Sequence, residues 1–106
     1  VVAADTLPPE LEILYPGNGT VLKRLSPVRF RAIDTLSGIN SDANLHIRLD
    51  DRFVIPEWDP ETDTVTGRPH WQIEAGEHIL RIRVEDAAGN YREQQIKFYL
   101  ESTTKE

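Results

Sequence analysis

The stretch Gly76-Glu77-His78-Ile79-Leu80-Arg81-Ile82-Arg83-Val84-Glu85-Asp86-Ala87-Ala88-Gly89-Asn90 carries the strongest pattern in the chain. His78, Leu80, Ile82 and Val84 alternate with Ile79, Arg81, Arg83 and Glu85, and a period of two is what a sheet with one buried face requires. The spacing predicts a long central strand. Gly76 can supply a positive φ at the corner where the strand begins, and Asp86 to Asn90 have the composition of a tight turn.

Working outward, Ile96, Phe98 and Leu100 form one face of a following strand, and residues 102–106 read as a flexible tail. Upstream, Thr64 to Ile73 is expected to be a strand interrupted at Gly67 and Pro69, with Trp71 and Ile73 as core. It is preceded by the turn Asp59-Pro60-Glu61-Thr62-Asp63. Arg52 to Trp58 reads as one strand, joined through a two-residue Asp50-Asp51 turn to Leu45, Ile47 and Leu49. Val28, Phe30 and Ala32 alternate with Arg29, Arg31 and Ile33. Leu11, Ile13 and Tyr15 open the first strand, which Val21 and Leu22 resume after Pro16-Gly17-Asn18-Gly19. Pro8 and Pro9 make residues 1–10 a linker, leaving residues 11–101 as the domain. Seven short strands at roughly ten-residue spacing, without an amphipathic helix, predict an all-β antiparallel sandwich with Greek-key connections.

Composition fits one domain. The 106 residues, 39% of them apolar, suffice for a core, and the absence of cysteine excludes disulfides, thiolate zinc sites and a cysteine nucleophile. A formal net charge of −6 argues against nucleic acid or an anionic membrane as the main partner. No apolar run approaches the length needed to span a bilayer, so membrane insertion is not expected.

Three motifs in order carry a family resemblance: Asp5-Thr6-x-Pro8-Pro9, then Asp34-x-x-Ser37-Gly38-Ile39, then Gly76-x-His78-x-Leu80-x-Ile82-x-Val84-x-Asp86-x-x-Gly89-Asn90. Together they resemble the bacterial Ig-like modules strung along envelope and secreted proteins. The likeness runs from Asp5 to Leu100. It departs from the common pattern at Leu7, where Thr is more usual, and at Asp63, where the turn often has Gly. The resemblance implies a seven-stranded immunoglobulin-like or fibronectin type III-like sandwich in the extracellular space, periplasm or cell envelope. It also implies a spacer or interaction domain, monomeric by itself, whose partners are neighbouring domains of the same polypeptide, a protein or a glycan.

Individual residues supply the site hypotheses. His78 is in phase with the buried residues, so its ring needs partners, and it is expected to pin the corner by bonding nearby backbone, with Gly76 and Gly89 shaping the two ends of the strand. His46, His70 and His78 share no face, which argues against zinc. Ser26, Ser37 and Ser41 lack a nucleophile elbow, and a sandwich of this size offers no deep cleft for paired carboxylates, so no catalytic residues are expected. The topology draws Asp5, Glu10, Asp34, Asp42, Asp59, Glu61, Asp63 and Asp86 to one pole. There Asp5, Asp34, Asp86 and Asn90 could hold Ca²⁺ between domains, or Asp34 and Asp86 could cap their own loops. Trp58 could stack a glycan or shield a sheet edge. Asn18-Gly19-Thr20 matches a glycosylation sequon inside a turn that already accounts for it.

Overall fold

A computed structural model describes residues 9–24, 27–33 and 44–101. Among them every element of regular structure is a strand: β1 (Glu10–Tyr15), β2 (Val21–Leu22), β3 (Val28–Ile33), β4 (Leu45–Leu49), β5 (Arg52–Val54), β6 (Pro56–Asp59), β7 (Thr64–Gly67), β8 (Gly76–Glu85) and β9 (Tyr91–Leu100). They form two sheets, ordered β1-β3-β7-β6 and β2-β9-β8-β4-β5, packed as a sandwich. The strand β8 lies inside its sheet. It pairs antiparallel with β9 from Gly76↔Leu100 to Glu85↔Tyr91, and on its other edge with β4 from Leu49↔Leu80 to Leu45↔Val84.

Alternation explains the core. His78, Leu80, Ile82 and Val84 of β8 are buried, as are Leu45, Ile47 and Leu49 of β4, while the residues between them face outward. The opposing sheet contributes Leu11, Val28, Phe30, Ala32 and Val65 to the same cluster. Fully burying one such aliphatic or aromatic side chain contributes about 1.5–3 kcal/mol, so the two inner faces hold the sheets together. The alternation of β9 changes character along its length. Ile96, Phe98 and Leu100 are buried, but Arg92 and Gln94 on the same face instead donate hydrogen bonds to the Pro9 and Leu11 carbonyls at 2.8 and 3.3 Å. Those long side chains fasten β1 where apolar packing gives out. Pro9, assigned to the linker from sequence, is fully buried.

Among the described residues there are nine strands where seven were expected, and one pairing, β2 with β9, is parallel. The segment read as one strand from Arg52 to Trp58 changes sheets: β5 pairs with β4, β6 pairs with β7, and the exposed Ile55 is the crossing point. Likewise Val21 and Leu22 do not resume the first strand in its own sheet. The chain crosses at Pro16, whose peptide bond is cis, and β2 joins β9 in parallel. The expected strand from Thr64 to Ile73 ends at Gly67, since Pro69 has no N–H to continue a ladder. Trp71 and Ile73 still pack against the core, from outside the sheet. Turns follow local chemistry: Asp50 and Asp51 take φ of 52° and 68°, as a two-residue hairpin turn of the primed type needs, and Asp63 takes 57°.

Gly67 has a packing reason. A Cβ there would lie 2.7 Å from Ile47 Cδ1 and 3.1 Å from Val54 Cγ1, both on fully buried side chains of the opposite sheet. Gly67→Ala should therefore force those residues off their rotamers and cost about 1–3 kcal/mol, measured as a lower urea midpoint with unchanged slope. An alanine variant as stable as the parent would show that the sheets can part locally without penalty.

Candidate functional site

The densest polar cluster joins the β4–β5 turn to the start of β8. Pairing Leu49 with Leu80 sets Asp50 beside the strand, so that its backbone N–H donates to the Ile79 carbonyl at 2.8 Å and its Oδ1 accepts the Ile79 N–H at 2.9 Å. Its second carboxylate oxygen meets His78 Nδ1 at 2.5 Å. The other ring nitrogen, Nε2, lies 2.6 Å from the Glu74 carbonyl, and the ring stacks on Phe98 with centroids 5.5 Å apart. The Glu74 carbonyl and an ionised Asp50 carboxylate both accept, so this arrangement favours the protonated imidazolium with both ring nitrogens donating. Burial by itself lowers the imidazole pKa. The hydrogen bond to Asp50, that to the Glu74 carbonyl, and the negative charges of Asp50 and Glu74 outweigh it, and the pKa is raised above 6.5. With both ring nitrogens engaged, the cluster ties the β4–β5 turn and the Glu74 segment to the start of β8.

At the far end of β8, Asp86 is buried and organises the turn to β9. Its Oδ1 accepts the N–H groups of Ala88 and Asn90 at 2.9 and 2.8 Å, while Oδ2 accepts the Asn90 side-chain amide at 3.1 Å. Asn44 adds a hydrogen bond to the Glu85 carbonyl at 3.1 Å. Gly76 and Gly89, at the two ends of the strand, take φ of 123° and 93°. Of the four residues considered for Ca²⁺, Asp86 and Asn90 are in contact through a nitrogen that donates to the carboxylate. Asp5 and Asp34 lie outside the described residues, as do Asp42, Ser26, Ser37 and Ser41. No group of three or more acidic, histidine or cysteine side chains able to hold a metal occurs among the described residues.

The tryptophans are oriented toward the core. Trp58, half-buried, packs against it from β6 with its indole nitrogen buried and unpartnered among the described residues. Trp71 is half-buried, with the Arg52 guanidinium 4.0 Å from its ring centroid and His70 edge-on. His46 and His70 are on separate elements, away from His78. No helix among the described residues is long and apolar enough to cross a membrane. Sequence reasoning treated Asp50 only as a turn residue and missed its bond to His78, 28 positions away. Registering the inward residues of the two strands against each other was the signal that would have brought them together.

The sheet arrangement defines a small β-sandwich domain, and comparison with solved structures gives the same class. The chain is similar to a segment of the endo-beta-1,4-mannanase from Thermotoga petrophila, with a TM-score of 0.70 and 15% identity over 93% of this chain and 21% of the mannanase. It thus spans about a fifth of that enzyme's length. It is also similar to CopC from Methylosinus trichosporium OB3b, with a TM-score of 0.63 and 14% identity, covering 92% of this chain and 99% of CopC. At these identities the likeness is one of fold. No protein-family model matches the chain, and no curated protein matches it.

The His78 cluster yields a pH dependence with a definite sign. Because its pKa is raised on folding, the stability it contributes is complete below pH 6.5 and is lost as pH rises through the higher folded-state value. The urea midpoint should therefore fall as pH is raised above 6.5. Asp50→Asn should cost roughly 1–2 kcal/mol at the lower pH and flatten the profile, because the neutral amide no longer favours the imidazolium. A profile equally steep in the variant would assign the pH dependence to another group.

Proposed function

We propose that this chain is a non-catalytic immunoglobulin-like module that acts as a spacer between neighbouring domains of an exported bacterial protein. The observation that carries the reading is the placement of Pro9 and Leu100, the first and last buried residues of the described sandwich. Pro9 is held beside Arg92 near the β8–β9 turn, whereas Leu100 pairs with Gly76 at the opposite end of the same ribbon. Eight residues of extended strand separate those positions, about 27 Å. Segments attached before Pro9 and after Leu100 are thereby held apart along the strand direction.

Strand order supports the family reading. Lettered along the chain with β2 and β5 as additions to the edges, the four-stranded sheet reads A-B-E-D and the other sheet contains G-F-C, the order of immunoglobulin-type sandwiches. An extracellular, periplasmic or cell-envelope setting goes with that reading.

Two copies joined head to tail through residues 1–10 should scatter X-rays as an extended pair, with a maximum dimension greater than that of one copy by about 30 Å or more. A pair folded back side by side would sink the spacer proposal.

A further inference from the structure

We propose that the outer face of the four-stranded sheet carries a binding groove for a neutral polysaccharide, with Arg29 as its anchoring donor. The inference goes beyond the spacer reading and does not depend on it. The groove is open to solvent along one side and has a volume of about 850 Å³. Its construction follows from alternation. Val28 and Phe30 are buried on β3, so Arg29 faces outward; Val65 and Gly67 are buried on β7, so Thr64 and Thr66 do as well. Register then places Arg29 opposite Thr66, and Asp59 of β6 opposite Thr64, setting donors and acceptors on three adjacent strands. Leu14, Tyr15 and Pro27 close one side as a largely apolar wall.

Arg31 pairs with Glu12 and Arg68 with Glu57, but Arg29 makes no ion pair or hydrogen bond among the described residues. Asp59 uses Oδ1 to accept the Glu61 N–H at 3.0 Å and has no hydrogen bond at Oδ2. The free guanidinium donates to two adjacent oxygens at once, and the free carboxylate oxygen accepts. Arg68 also lines the groove but is already paired with Glu57, so the uncommitted charges, Arg29 and Asp59, are one of each sign and select neither an anion nor a cation. Adjacent hydroxyls on a sugar ring both donate and accept, which meets this pattern, and the C–H face of the ring fits the wall of Leu14, Tyr15 and Pro27. From Thr64 to Arg68 the floor runs about 13 Å, longer than one sugar ring, so the ligand class is a chain of hexose or pentose units.

Calorimetric titration of the whole chain with mannohexaose, cellohexaose and xylohexaose, and with hexagalacturonate as the acidic counterpart, tests the assignment. At least one neutral hexaose should bind with a Kd of about 1 mM or tighter. Arg29→Ala should weaken it about tenfold or more, the loss of a charge-assisted bond, and Thr66→Val should weaken it in the same direction. Arg81→Ala, on the other sheet, should bind as the parent does. The proposal is overturned if no neutral hexaose binds, if hexagalacturonate binds better, or if Arg29→Ala binds normally. It is equally overturned if Arg81→Ala loses as much, since the effect would then be general. Melting temperatures of all variants check that each is folded.

Discussion

A strand hydrogen-bonded along both edges, with one face sealed in the core, has no register to slip into, and β8 is that strand here. A shift of one residue against β9 or β4 would carry Leu80, Ile82 and Val84 to solvent and bring Arg81 and Arg83 inside. The cost would be several buried aliphatic side chains and two unpaired guanidinium groups together. The neighbouring strands inherit their positions from that constraint, and the second sheet packs against the face it exposes.

The His78 cluster extends the same constraint to the turns. Asp50 holds the Ile79 backbone through two hydrogen bonds and His78 through a third, so the β4–β5 hairpin cannot move independently of β8. Glu74 is drawn in through its carbonyl, which fixes the approach to Gly76. This end is therefore tied by charge and hydrogen bonding. At the other end Asp86 gathers its own turn, and Asn44 ties that turn to the start of β4 through the Glu85 carbonyl. Against these stands the enclosed Trp58 indole N–H, which forgoes a hydrogen bond at a cost of about 1–3 kcal/mol.

Much of this was legible from residue order. Alternation in β3, β4, β8 and the end of β9 assigns their inner faces, and the Asp50-Asp51 turn follows from the tolerance of Asp for left-handed geometry. What escaped depends on partners distant in sequence. Nothing local to Arg52 through Trp58 says that the chain leaves one sheet at Ile55, because both halves keep extended geometry. Gly67 reads as a strand breaker until Ile47 and Val54 are seen against it. Arg92 and Gln94 break the apolar period of β9 for the sake of carbonyls more than 80 positions away. The groove at Arg29 was invisible for the same reason: its floor is assembled by register across three strands.

The parallel contact between β2 and β9 has a mechanical consequence. Tension applied before Pro9 and after Leu100 meets β1 first, and once β1 has given way it pulls β2 toward its N-terminal side and β9 toward its C-terminal side, which for parallel strands are opposite directions. The bonds Gly19 N–H to Lys97 O, Tyr99 N–H to Thr20 O and Glu101 N–H to Leu22 O, at 2.6, 2.9 and 2.8 Å, are then loaded together in shear. An antiparallel hairpin pulled from its open end would lose its bonds one after another. The two-residue strand β2 therefore acts as a clasp, and it is placed where a domain pulled at both ends carries the load.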